Sequence, residues 1–411
     1  MWHKLQDDPK VFAIINNEQE RLANTINLIA AENHAPGAVM QAMGSAFNTK
    51  TIEGYPHRRF HAGCINADEI ESLAVSRCKK LFNAEYANVQ PHSGTSANLA
   101  VYFSVLNVGD SVLAMSLPQG GHLSHGHQAS ITSKCFKFEH YGLDPDSERI
   151  DYDAVRELAH KFKPRMIVAG ASAYPRLIDY ARMAGIAAEV GAYLLTDMAH
   201  LAGLVAARAI PSPLPHSDFV TFTCYKTLMG GRGGVILSRQ DYGKKIDHTI
   251  FPGCQGTTPV NSIAAKALIF KMATTPEFAE IQKRTLKNAK RLGEELTRRK
   301  YRLVTGGTDN HQVLVDLSSK GMPGSVAEKL LESVGIVTNK NVIPRDAQQP
   351  GKVSGLRLGT AAVATRGMGT SQMIHLAELI DRTISNADDA SVLGEVAAEV
   401  VALCQVFPLR S

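Results

Sequence analysis

Apolar runs and amphipathic stretches alternate through the middle of the chain. Met166-Ile167-Val168-Ala169, an amphipathic segment from Ile178 to Val190, and Leu194-Leu195-Thr196 read in order as strand, helix and strand, the signature of a parallel βαβ unit. This alternation, from about 26 to 270, predicts one large α/β domain. Before it, residues 7–25 carry helical periodicity, with Val11, Phe12, Ile14, Ile15 and Leu22 sharing a stripe, which predicts an N-terminal helical arm. After it comes a long helical pattern from Pro276 to Lys300 with alternating charges on its outer side. A strand is predicted over 311–317, a helix over 326–335, a strand over 356–363 and an amphipathic helix over 394–406. The expected division is an arm (1–25), a large domain (26–275), and a linking helix with a smaller α+β domain (276–411).

One apolar run ends on an amine. Asp218-Phe219-Val220-Thr221-Phe222-Thr223-Cys224-Tyr225 precedes Lys226, and Thr227-Leu228-Met229-Gly230-Gly231-Arg232-Gly233-Gly234 follows it. A lysine at the end of a buried strand is costly as an ammonium, and Arg232 nearby disfavours a second positive charge. A neutral amine attacks carbonyls, and in such a setting the carbonyl to expect is that of pyridoxal phosphate. Upstream, Tyr193-Leu194-Leu195-Thr196-Asp197 is a short strand ending in a carboxylate, at the strand end where ligands of parallel sheets bind. An aspartate there pairs with a pyridinium nitrogen. Gln90-Pro91-His92-Ser93-Gly94-Thr95-Ser96 reads as a loop opening a helix, a cradle for phosphate or a plain N-cap.

In that order the motifs resemble the serine hydroxymethyltransferase family along nearly the whole chain. Further segments carrying the resemblance are Leu28 to Asn33, Glu53-Gly54-Tyr55-Pro56, Gly120 to Gly126, Gly170 to Arg176, Gly306 to His311, Asn339-Lys340-Asn341 and Ser354 to Thr360. The resemblance implies a pyridoxal-phosphate fold type I large domain, aspartate-aminotransferase-like, with a mostly parallel sheet and a smaller C-terminal domain. It also implies that Lys226 anchors the cofactor covalently, Asp197 holds the pyridinium nitrogen, and His122 stacks on the ring. Ser93, Gly94 and Thr95 would hold phosphate, joined by Gly256 from a neighbouring subunit, with Ser172, His200 and Thr223 completing the cofactor set. Arg357 would clamp the substrate carboxylate, since its fork matches both oxygens in one plane. Glu53 matches the family's acid/base glutamate. Leu117, Gly121, Leu123 and Asn341 match positions that contact tetrahydrofolate, the expected cosubstrate. The implied assembly is a homodimer or a dimer of dimers with shared active sites.

Departures from the family pattern cluster around the expected substrate. Thr51 stands for a tyrosine, Ala31 for a serine, Phe60 and His61 for paired tyrosines, Tyr225 for a histidine, and Ala361 for a proline; Gly256-Thr257-Thr258-Pro259-Val260-Asn261 differs from the usual Gly-Gly-Pro-Leu-Met-His. Ala31, Thr51, His61 and Tyr225 are therefore candidate substrate contacts beside Arg357. Thr51 opens space near the substrate Cα, where one extra methyl would be worth about 1 kcal/mol if it fits. The expectation is a transferase cleaving or forming the Cα–Cβ bond of a serine-type β-hydroxy amino acid, with α-methylserine or D-alanine as substrate. An ordinary serine enzyme and a folate-independent aldolase or transaldolase are the alternatives.

Composition narrows the rest. The 411 residues are 44% hydrophobic and 20% charged with a net charge of +5, enough chain for two domains and too mild a charge to argue for nucleic acid. The start, Met1 to Asp8, has no apolar signal core, and no stretch approaches the ~20 apolar residues of a membrane span. A cytoplasmic protein is expected. Six scattered cysteines predict free thiols, with Cys224 on the strand face of Lys226. His122, His125 and His127 could suggest zinc, but with no accompanying carboxylate or cysteine no metal site is expected. The glycines of 230–234 lack the spacing of a dinucleotide fingerprint.

Overall fold

The structure, a computed structural model, describes residues 4–344, 346 and 353–409. The first three residues of the polar start lie outside them. Seven strands form the main sheet: β1 (Tyr86–Asn88), β2 (Ser111–Met115), β3 (Lys137–Tyr141), β4 (Met166–Gly170), β5 (Tyr193–Asp197), β6 (Phe219–Thr223) and β7 (Gly234–Ser238). Their spatial order is β1-β7-β6-β5-β4-β2-β3. Pairing is parallel from β6 through β3, while β7 runs antiparallel to both its neighbours, β6 and β1. Every residue of β4 and β6 is buried, because helices cover both faces and leave no polar side to the pleat. Phe222, Val220 and Val235 pack with Ile263, Phe270 and Phe82 of the helices Val260–Met272 and Ile65–Phe82. On the opposite face Phe219 and Leu195 pack with Ala97, Val101 and Tyr102 of the helix Gly94–Val105.

The predicted elements fall close to the observed ones. Helices run Pro9–Asn24, Tyr180–Val190, Pro276–Arg298, Gly324–Ser333 and Ala390–Val406, and a strand runs Gln312–Asp316. Asp8, Asp179, Thr275 and Asp389 cap four of these helices by accepting from first-turn amides. Three local expectations need correction. The strand bearing Arg357 spans only Gly355–Gly359, and Ala361–Thr365 is a short helix instead. The strand before Lys226 ends at Thr223, so Cys224 and Lys226 lie in the turn beyond it and not on one strand face. The alternation of strands and helices begins only at β1, since 26–64 is mostly short turns, a two-residue hairpin and brief helices.

Among the described residues the C-terminal sheet has four strands, and its core joins Leu292, Leu296, Val313, Leu358, Leu376 and Ile380. Ile26 and Leu28 belong to this second core, and Ile26 and Asn27 pair in parallel with Ile336 and Val337. The chain therefore touches the C-terminal unit before it enters the main sheet. Among the described residues, no helix is long and apolar enough to cross a membrane.

Candidate active site

Two adjacent parallel strands and one helix assemble the site. Asp197 closes β5, and the turn after β6 carries Lys226, so both side chains emerge at the carboxyl edge of the sheet. Ser93 caps the helix Gly94–Val105, its Oγ accepting from the Ser96 amide at 3.1 Å. That leaves the first amides of a twelve-residue helix facing the same edge. Close backbone approach fixes the cradle: a Cβ on Gly234 would sit 2.2 Å from the Ser93 carbonyl oxygen. Ser93, Gly94, Thr95, His122, Ser172, Asp197, His200, Thr223, Tyr225 and Lys226 all line one cavity.

Asp197 is held as a carboxylate. Burial raises a carboxyl pKa, but hydrogen bonds from His125 and Asn98 outweigh it and hold Asp197 well below the usual carboxylate range. Asn98 Nδ2 donates to Asp197 Oδ2 at 2.8 Å, and His125 Nε2 lies 3.1 Å from the same oxygen. His125 Nδ1 accepts the His122 amide at 3.3 Å, which leaves the proton on Nε2 to be donated to the carboxylate. The orientation of Asn98 is set in turn by Thr221 Oγ1, which donates to its Oδ1 at 2.6 Å. His125 and Asn98 were not among the candidate site residues read from the sequence. Their signals were a second histidine three residues after His122 and an amide within the buried face Ala97-Asn98-Ala100-Val101.

Lys226 is 7% exposed. Burial lowers its pKa to about 8 despite the attraction of Asp197, with Arg357 and then Arg232 lowering it further. Arg232 lies over the Tyr225 ring at 4.4 Å. The turn is braced by Asn33, whose Nδ2 donates to the Lys226 carbonyl at 3.1 Å, and by Thr227, whose Oγ1 donates to the His200 carbonyl at 2.9 Å. Burial and His125 bring His122 to about 4, so its ring is neutral; Nδ1 accepts from the Ser124 amide. His200, buried and beside Lys226 and Arg357, is pushed well below 6.5, stacks on His311 at 5.6 Å, and keeps a buried Nδ1 with no partner among the described residues.

The other candidates fall into three places. Arg357 borders the cavity, donating from Nη1 to the Ser172 carbonyl at 2.7 Å and from Nε to Asn339 Oδ1 at 3.1 Å. Ala31 is half-buried, between Ala30, whose carbonyl lies 3.1 Å from His311 Nε2, and the bracing Asn33. Among the expected folate positions, Leu117 and Gly121 lie in the turn whose Gly120 carbonyl accepts the Ser172 amide, and Leu123 is 52% exposed just beyond His122. Asn341 is two residues from the Asn339 that pairs with Arg357. Thr51, Glu53, His61 and Gly256 do not line the cavity. Within one chain Glu53, His61 and Gly256 lie together on a partly exposed surface, His61 Nε2 3.3 Å from Glu53 Oε2 and a Cβ on Gly256 3.8 Å from Glu53 Oε1, and Thr51 is exposed two residues from Glu53.

One exclusion needs correction. The histidine pair does have a carboxylate beside it, since donor atoms of His122, His125 and Asp197 all lie within 4.8 Å of one another. Those of His125 and Asp197 are already engaged with each other, so an ion would have to break the bond that keeps Asp197 charged.

An amine poised near neutrality, a buried carboxylate, a neutral imidazole and a helix N-terminus facing one cavity suit a pyridine aldehyde phosphate, and the unpartnered His200 Nδ1 offers a further polar contact. Sheet and cavity together are those of a pyridoxal-phosphate enzyme of fold type I. Residues 5–380 match the family described as serine hydroxymethyltransferase, and the chain belongs to that family. It is accordingly a pyridoxal-phosphate-dependent transferase of the hydroxymethyltransferase and aldolase type, acting in amino-acid metabolism.

Proposed function

We propose that this enzyme cleaves and forms the Cα–Cβ bond of serine-type β-hydroxy amino acids, accepts α-methylserine and D-alanine, and passes the one-carbon fragment to tetrahydrofolate. Lys226 would hold the cofactor aldehyde, Ser93, Gly94 and Thr95 its phosphate, Asp197 its ring nitrogen, and His122 its face, with Ser172, His200 and Thr223 around it. When bound, pyridoxal phosphate supplies an electron sink for the pair released at Cα. Arg357 receives the substrate carboxylate in its fork and sets which bond at Cα is cleaved. Burial lowers the Arg357 pKa to about 10, which leaves the guanidinium charged at neutral pH. Asp197 stays ionised throughout because His125 and Asn98 donate to it.

The remaining parts come from a second copy. The single observation that carries this reading is that Glu53, His61 and Gly256 lie together, and Thr51 is exposed, apart from the cavity of Lys226, although the family pattern assigns all of them to one reaction centre. Phe60, 75% exposed and edge-on to Phe251 at 5.5 Å, and Ile65, 72% exposed, give the same face apolar area to bury. The arm Pro9–Asn24 buries none of its residues and leaves Val11 and Ile14 exposed, as a segment packing on a partner does. In the assembly Glu53 would move protons on the substrate, Thr51 would make room at Cα, and Leu117, Gly121, Leu123 and Asn341 would meet the folate.

The test compares cleavage of serine, threonine and α-methylserine, each with and without tetrahydrofolate, and hydroxymethylation of D-alanine by methylenetetrahydrofolate, in the native enzyme and in Thr51→Tyr. α-Methylserine should react at least as well as serine, and the tyrosine variant should reverse that preference within the roughly 1–3 kcal/mol that one methyl can discriminate. A clear preference of the native enzyme for serine would overturn the substrate assignment. Equal rates without folate would overturn the one-carbon acceptor.

A further inference from the structure

A second buried lysine stands behind the phosphate cradle. Lys266, in the helix Val260–Met272, is 1% exposed, and its three N–H groups each meet a backbone carbonyl: Val89 at 2.6 Å, Gly234 at 3.0 Å and Pro91 at 3.2 Å. Burial lowers its pKa to about 8, no ion pair reaches it among the described residues, and Glu71, a carboxylate that acts on it, is already bonded to Arg59 and Gln90. An ammonium without an ion pair is an expensive way to fill a core. Methionine would fit similar space without the charge, so the geometry asks what the charge does.

The three carbonyls belong to the loop after β1 and the start of β7, the two segments that shape the cradle. Val89 and Pro91 lead from β1 to Ser93, and Gly234 opens β7 directly after the turn of Lys226. The Gly234 amide also donates to the Pro91 carbonyl at 2.9 Å, and Gly233, at φ +152, leaves no room for a Cβ, which would lie 2.4 Å from Lys266 Cε. Nearby, Thr258 Oγ1 and Gln255 Nε2 donate to the Gln90 carbonyl, and the His92 amide donates to Gln255 Oε1. Carbonyls 89, 90 and 91 are thus all turned inward, toward residues 255–266.

We infer that Lys266 is a positioning residue for the cofactor phosphate: its ammonium draws the carbonyls of 89, 91 and 234 inward, fixes the loop so that the amides of 94 and 95 face outward, and adds a positive charge behind the anion site. This rests on reading Ser93 to Thr95 as the phosphate cradle. Lys266 itself touches neither phosphate nor substrate, because its donors are spent on the backbone.

The experiment uses purified apoenzyme and two probes that differ only in phosphate, pyridoxal 5'-phosphate and pyridoxal, on the native chain, Lys266→Met and Lys266→Gln, with thermal unfolding of each apo form as a control. The expected result is at least about tenfold weaker binding of pyridoxal phosphate by both variants, the size of one lost charge-assisted interaction, with pyridoxal affinity unchanged. A purely structural role would weaken both probes together and overturn the inference, as would unchanged affinity for both. If methionine prevents folding, glutamine, which keeps two donors without the charge, carries the comparison. Failure of the native chain to bind either probe would instead overturn the cofactor assignment, which separates the two.

Discussion

Two lysines in this fold share a pKa of about 8 and differ in what their nitrogens face. Lys266 is saturated by carbonyls, whereas Lys226 lines an open cavity with Asp197. Because burial lowers the Lys226 pKa from 10.5, the reactive neutral amine reaches half its population near pH 8 and dominates above it. Capture of pyridoxal phosphate by apoenzyme should therefore speed up as pH rises through about 8 and then level off; a rise that begins only near pH 10 would contradict this. Asp197 behaves in the opposite sense. Its folded pKa is depressed, so its contribution to apoenzyme stability is present above the ordinary 3.8 and is lost as pH falls below that value. Substituting His125→Gln or Asn98→Ala should slow turnover by about tenfold or more while the cofactor stays attached, since a charge-assisted bond to Asp197 is removed and Lys226 is not. Spectra showing retained cofactor with unchanged turnover would refute that assignment. Lys226 and Asp197 were legible in sequence because each ends an apolar run. His125 and Asn98 were not, because their bonds to Asp197 span 72 and 99 residues of chain.

Single side chains also tie whole elements together. Arg366 is buried with no carboxylate partner among the described residues and donates instead to carbonyls at two helix ends: Thr25 at 2.9 Å and Ala23 at 3.1 Å beside Pro9–Asn24, and Phe407 at 2.7 Å and Cys404 at 3.0 Å beside Ala390–Val406. The orphan carbonyls and negative dipole ends of both helices converge on one guanidinium. Arg366→Met should cost about 3 kcal/mol, as for a broken buried polar network, and should expose the arm to proteolysis before the rest of the chain unfolds. Unchanged melting and cleavage would show that the arm is held otherwise. The arm itself was readable from its apolar stripe, and so were the long helix from Pro276 and the strand Gln312–Asp316, because a period of 3.6 or 2 survives any tertiary context. The end of the Arg357 strand was not, since Ala361, Ala362 and Val363 are apolar like Leu356 and Leu358 although the backbone has turned into the helix Ala361–Thr365. Ile26 and Leu28 were equally illegible as members of the C-terminal core, because a two-residue strand has no period to read.

At the scale of the whole molecule, the proposed function makes the chain a carrier of two incomplete halves of one site. Lys226 and Asp197 line one cavity at the carboxyl edge of the main sheet with Arg357 bonded to its Ser172 wall, while Glu53, His61 and Gly256 sit together on a partly exposed face. Sequence order hides this partition, because motif spacing says which residue types are present and not which copy delivers them. Mixing inactive Lys226→Ala chains with inactive Glu53→Gln chains, then unfolding and refolding them together, tests the partition directly. Random pairing makes half of the dimers mixed, each with one complete site of two, so activity should return to about one quarter of the native level. Recovery of about that quarter is expected; a mixture that stays as inactive as its parents would mean that each chain builds its own complete site.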